Sequence, residues 1–157
     1  MTEQNQPEAW LRGPLPGVDP ALMPAAHALL GAAEDLERAA APLTVEELWA
    51  RPGGAASVGF HLRHVAGSID RLLTYADGEG LDDAQRDFLA REGEPGDPPA
   101  AAAALVEAAV RAIEGALEVI RSTPAAPLYE PRGVGRAQLP STIAGLLFHV
   151  AEHTQRH

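Results

Sequence analysis

The amino-acid sequence predicts an all-α fold: a four-helix bundle with short extra helical segments. Four stretches of bundle length carry apolar residues at the three-and-four spacing of an amphipathic helix. Alanine and leucine fill most of those positions while aromatics make up only 4% of the chain, a composition that suits closely packed helices. No segment alternates convincingly between apolar and polar residues, and no fixed-period repeat points to a solenoid. At 157 residues the chain fits one core, and a chain of that size buries roughly 68–70% of its unfolded surface. We divide it into an irregular N-terminal arm, residues 1–18, and a helical bundle, residues 19–157.

The arm contains Pro7, Pro14 and Pro16 with Gly13 and Gly17, and Trp10 and Leu11 are its anchors. Asp19-Pro20 then sets a capping carboxylate before a proline, which predicts a first long helix to about Ala40 with Leu22, Ala26, Leu29, Ala33 and Leu36 inward. Pro42 ends it. Thr44 and Glu47 have capping-box spacing, so Val45 to Ala50 is a short helical turn that seats Trp49 on the bundle. After the break at Pro52-Gly53-Gly54, Ser57 caps a second long helix with Phe60, Val65, Ile69 and Leu72 on its apolar face, stopping at Gly78. A shorter helix spans Asp82 to Glu92. Asp97-Pro98 repeats the capped start for a third long helix that ends near Ser122. The proline- and glycine-rich stretch from Pro124 to Pro140 reads as a long loop, a rim. The last helix runs from about Ser141 to the end, with Ile143, Leu146, Leu147 and Val150 inward.

Composition excludes several classes of function. No apolar run approaches the ~20 residues a membrane-spanning helix needs. Met1 to Pro7 lacks the basic start and apolar stretch of a signal peptide, so the expected location is cytoplasmic. A formal charge of −10 repels phosphate backbones, and no stripe of Lys and Arg offsets it, which sets nucleic acid aside as a partner. Cysteine is absent, so there are no disulfides, thiolate metal sites or thiol nucleophiles, and soft-metal chemistry must use imidazole.

His149, His153 and His157 recur every four residues, stacked on one face of the last helix with about 6 Å of rise between neighbours. Adjacent members can share one ion. The outer two, about 12 Å apart in rise, cannot, because zinc–nitrogen bonds are only about 2.0–2.1 Å. A pair on this helix therefore needs a further ligand from elsewhere. The second long helix offers His61 and His64, and the first offers His27. His64 lies nearer the apolar face, where a metal ion would satisfy an otherwise costly buried imidazole. A lone histidine on a helix is more often a surface or hydrogen-bonded core residue, and that is our reading of His27 and His61.

Four segments narrow the choice: Leu48 to Pro52, Ser57 to Ala66 with His61 and His64, Arg71 to Tyr75, and His149 to His157. Together they resemble the DinB/YfiT family, with the likeness running from about Trp10 onward. The resemblance implies a four-helix bundle, often a homodimer, holding a divalent transition metal, commonly nickel or zinc. Matched residue by residue, the implied ligands are His64, His153 and His157. His149 then lines the pocket one turn deeper or replaces His157. Family members often continue beyond the last histidine with a Gly-Gln stretch, and a ligand on the last residue of a fraying helix is the least firmly held of the three. A cation near a helix C-terminus is favoured by the helix dipole.

Three neutral nitrogen ligands leave coordination positions open, as in catalytic zinc sites. Water there becomes a hydrolytic nucleophile, and an external thiol is held as thiolate for transfer. The resemblance implies either a metal-dependent hydrolase or a low-molecular-weight-thiol-dependent transferase or isomerase, acting on a small-molecule substrate. The alternative is a non-catalytic metal-binding or stress-response bundle. Glu152 points about 100° away from His153 and reads as a solvated or helix-pairing carboxylate. Asp70 and Glu130 stay open as acid–base candidates.

Overall fold

Prolines set where two of the helices of this chain begin, and side-chain caps set the starts of the others. The computed structural model describes residues 6–157, so the first five residues of the expected arm and leaderless N-terminus lie outside the described residues. Among the described residues six α-helices follow in order: α1 (Met23–Ala39), α2 (Val45–Trp49), α3 (Val58–Ala76), α4 (Asp83–Arg91), α5 (Ala102–Ser122) and α6 (Ile143–Arg156). Short 3-10 turns occupy Ala9–Leu11 and Pro52–Gly54, and two strands, β1 (Pro131–Val134) and β2 (Leu139–Thr142), lie between α5 and α6.

α1 starts at Met23, later than the expected Asp19-Pro20 cap. Asp19 Oδ1 accepts from the Ala21 N–H at 2.9 Å and so closes a local turn. Pro24 has no N–H to offer Pro20, and regular helical bonding begins only with Ala26 N–H to Leu22 O. The same correction applies to α5. Its N-cap is Ala101, with no side-chain cap, because Pro99 disfavours the α region at Pro98 and pushes the start past both prolines. The capping box at Thr44 and Glu47 forms both of its hydrogen bonds, and Ser57 Oγ caps α3 through the Phe60 N–H at 3.1 Å.

The stretch expected to be a structureless rim contains an antiparallel hairpin, with Pro131 opposite Thr142 and Val134 opposite Leu139. Strands of four residues are too short to show an alternating pattern. Pro131 and Pro140 are tolerated because a two-stranded ribbon has two outer edges that need no donor. The turn uses the left-handed region at Gly135 (φ +68°) and Gln138 (φ +48°). The hairpin clips the bundle at one end. Arg132 Nε donates to Ala76 O at 2.7 Å at the end of α3, and the Ile143 and Ala144 N–H groups bond Glu130 O and Leu128 O. Ser141 and Thr142 therefore belong to β2, and Thr142 rather than Ser141 caps α6 by accepting from the Gly145 N–H at 3.0 Å.

The bundle closes as a ring in which α1 packs on α5 and α6, and α3 packs on the same two. Leu29, Leu62, Ile69, Ile113, Ile120, Leu147 and Val150 are buried at its centre. Each fully buried Leu or Ile contributes roughly 1.5–3 kcal/mol relative to exposure. Ala26, Ala109 and Ala116 are fully covered, so the helices meet closely. Among the described residues, no helix is long and apolar enough to cross a membrane. α2 is held by Leu48, which is buried, and by Trp49, whose Nε1 donates to Ala100 O at 2.9 Å.

Two helical glycines separate packing from propensity. A Cβ on Gly59 would stand 2.7–2.8 Å from three atoms of the Trp49 ring, whereas a Cβ on Gly115 meets nothing within 4 Å. Gly115→Ala is expected to stabilise the fold by about 0.5–1 kcal/mol and Gly59→Ala to destabilise it by about 1–3 kcal/mol. Urea denaturation followed by circular dichroism measures both, and shifts of the same sign would contradict the close packing of α2 on α3.

Candidate metal centre

The Ser57 cap places His61 and His64 in the first two turns of α3, while His153 and His157 occupy the last turn of α6 and its C-cap. The two helices run antiparallel, so a step of three residues along α3 matches a step of four back along α6. His61 Nδ1 lies 3.0 Å from His157 Nδ1, and His64 Nε2 lies 2.8 Å from His153 Nε2. His64, His153 and His157 each present one nitrogen such that all three atoms lie within 4.8 Å of one another. The fold thus brings together the three residues expected from the sequence. His157 is not frayed: its N–H bonds His153 O at 3.1 Å and its ring engages His61.

Nitrogens sharing one ion at 2.0–2.1 Å in a tetrahedral array stand about 3.3 Å apart. Two imidazole nitrogens at 2.8 Å must share either a proton or a cation, since facing lone pairs repel. The remote nitrogens show which way two of the rings are set. Glu92 Oε2 accepts from His64 Nδ1 at 2.8 Å, which leaves His64 Nε2 as a lone pair aimed at His153. The contact with His61 occupies His157 Nδ1 and leaves its Nε2 free. His153 Nδ1 is buried without a hydrogen-bond partner among the described residues. Burial, then the nearby His157 and His64, push the His153 pKa down to about 4. Burial also lowers His157, followed by the effects of His64 and His61. Both rings are therefore neutral near pH 7, the form that binds metals. Phe60 stacks on His64, with ring centroids 5.3 Å apart and planes 15° from parallel, and shields one face of that ring.

Glu92, at the end of α4, is the residue that sequence reasoning missed. It is 2% exposed and divides its carboxylate, Oε2 to His64 and Oε1 to Arg71 Nη1 at 2.7 Å. Gly67 makes room for it: a Cβ there would fall 2.6 Å from Glu92 Oε1 and 2.7 Å from Arg71 Nη1. These are ends of flexible side chains, but they are buried and bonded to each other and cannot swing aside cheaply. No local spacing marks a lone glutamate on a short polar helix as a partner of His64, because the contact spans 28 residues.

The remaining candidates fall elsewhere. His149 turns to Glu152 at 3.1 Å and stays outside the cluster, which leaves His157 in the third position. Glu152 grips Arg156 at 2.5 and 2.7 Å, and that bond is the first cause of its lowered pKa, in keeping with a helix-pairing role. His27 Nε2 contacts Gly13 O at 2.9 Å and fastens the arm. Asp70 accepts from Gln85, and Glu130 faces Arg132. His61, read from the sequence as a surface or hydrogen-bonded core histidine, is part-buried and bonds the ring of His157.

Residues 28–157 match the family model described as the DinB superfamily. No curated protein matches the chain. The family match and the three-histidine cluster together fit a metal-binding site.

The lowered His153 pKa fixes a sign for stability. Its unfolded value is near 6.5 and its folded value about 4, so the unfolded chain binds the proton more tightly between those limits. The neutral ring's contribution is complete above pH 6.5 and is lost as pH falls from 6.5 towards 4. Discounted for solvent screening, it amounts to about 1–2 kcal/mol. Chelator-treated wild type is expected to lose more stability than His153→Asn between pH 7 and 4.5 in denaturant titrations. Equal losses would show that His153 is not held neutral by the fold.

Proposed function

The chain belongs to the DinB superfamily, and on that footing we propose that it is a metal-dependent enzyme in which His64, His153 and His157 hold one divalent ion, nickel or zinc. The observation that supports this reading best is the gathering of three nitrogens within 4.8 Å, with the far side of His64 held by Glu92 and that of His157 by His61. Three neutral ligands leave an open position, and an ion so bound supplies Lewis acidity and a nucleophile at neutral pH, from water for hydrolysis or from a low-molecular-weight thiol for transfer. The chain's own groups do the positioning. Glu92 keeps the Nδ1 proton of His64, Arg71 keeps Glu92 in place, and Phe60 shields the ring of His64 from water. The carbonyl end of α6 favours a cation beside His153 and His157. The same reading includes a homodimer, a cytoplasmic location and a small-molecule substrate.

One observation favours a second reading, a metal-binding bundle without catalysis. Two carboxylates beside these histidines are committed, Glu92 to His64 and Arg71, and Glu152 to Arg156 and His149, so neither is free to act as a general base.

Metal analysis after purification from nickel- and zinc-supplemented cultures tests the site. Wild type is expected to carry close to one ion per chain, and His64→Ala and His153→Ala little. Glu92→Gln should bind about 10–100-fold more weakly in chelator competition. Equal metal content in wild type and both alanine variants would end the proposal. Given tight metal, screens for thiol conjugation and for ester hydrolysis divide the two reactions, and silence in both favours the non-catalytic bundle. A concentration-independent monomer in sizing experiments would remove the dimer.

A further inference from the structure

We propose that the groove running from His157 between α1, α3 and α6 holds the apolar body of the substrate, which makes that substrate a small molecule with an uncharged alkyl chain or ring next to its reacting group. The inference rests on the metal reading above and adds the substrate class. The groove measures about 490 Å³, and its apolar walls include Leu36, Ala39, Leu43 and Val58, with Thr154 and His157 from α6. That volume lies within the roughly 300–1,000 Å³ typical of small-ligand pockets, which are mainly apolar with a few polar groups.

Three observations point to this occupant. His157 belongs both to the groove wall and to the imidazole cluster, so the groove borders the candidate centre. Thr154 stands on the groove wall only 4% exposed, and its Oγ1 has no hydrogen-bond partner among the described residues. Among the described residues that line the groove, Asp35 is the one carboxylate and no Lys or Arg is present, which disfavours an anionic occupant. The other large depressions differ. The 800 Å³ cleft beside the arm is lined by Arg12, Glu34, Asp35 and Arg38, with Arg12 and Glu34 bonded to each other, and none of the three clustered histidines borders it. The 340 Å³ hollow between α3 and α4 reaches Glu92 only, which is already shared between His64 and Arg71.

A series of n-alkyl hydroxamates, from acetohydroxamate to octanohydroxamate, tests the groove by calorimetric titration of zinc-loaded protein. The headgroup reports on the metal and the chain on the groove. Affinity is expected to rise about twofold to fourfold per methylene until the groove is filled. Ala39→Trp, a change at an exposed position on the groove wall, should flatten that rise while leaving acetohydroxamate binding unchanged. Acetohydroxamate binding with a flat series in wild type would overturn the groove assignment and leave the metal reading intact. Failure of acetohydroxamate to bind would count against the metal reading alone, because 1-hexanol titrated into chelator-treated protein decides the groove separately. Hexanol should shift the methyl NMR resonances of Leu36, Leu43 and Val58, and unmoved resonances would overturn the inference.

Discussion

A buried carboxylate cannot remain unpaired, and the way Glu92 is paired governs much of what surrounds it. Its two oxygens serve two different masters on α3: one accepts from the His64 ring, the other from the Arg71 guanidinium. Together they tie the end of α4 to the middle of α3 and set the tautomer of a ring that faces α6. Burial of such a trio is a weak source of net stability, since desolvation offsets much of the attraction. Its worth lies in orientation. A histidine fixed on its far side presents one nitrogen in one direction, which a freely rotating ring does not. Gly67 is the complement of this arrangement, because only a residue without a side chain lets the carboxylate and the guanidinium approach the helix backbone.

The helices and the cluster were legible in the sequence to different depths. Apolar periodicity located all four long helices, and the caps at Thr44 and Ser57 placed the starts of α2 and α3 to the residue. The starts of α1 and α5 were placed too early for a shared reason: Asp-Pro is a good cap signal, but Pro24 and Pro99 further on carry their own demands on the backbone. The hairpin escaped because its strands are too short for period two to show, and their prolines argue against strands unless the ribbon is known to have open edges. For the site, i to i+4 spacing put His153 and His157 on one face, yet spacing alone left His27, His61 and His64 all open as the partner. Family likeness selected His64. Glu92 and the groove wall were invisible to either approach, since both arise from contacts between distant segments.

The cluster also shows how the core serves the site. Nothing in α3 or α6 alone brings His61 to His157 and His64 to His153. The packing of Leu62, Val65 and Ile69 with Leu147 and Val150 does so by fixing where the two helices stand along each other. The three imidazoles are then crowded, with ring centroids 4.4–5.0 Å apart, and burial holds His153 well below its ordinary pKa. Mutual proximity of neutral nitrogens is poor for the fold taken alone, so the core sustains an arrangement that fits a metal-binding site.

The ribbon of β1 and β2 stands at the opposite end of α6 from these rings, yet it decides their azimuth. β2 runs directly into α6, and the bonds from Ile143 and Ala144 back to Glu130 and Leu128 fix the angle at which the helix departs. Each residue of an α-helix turns the chain by about 100° and advances it about 1.5 Å. A single residue inserted or deleted between β2 and Ile143 would swing His153 and His157 about a quarter-turn off their shared focus, with every helix still formed. For this molecule the spacing between hairpin and helix is thus as strict a requirement of the three-histidine arrangement as the histidines themselves, although the hairpin lies at the far end of the helix.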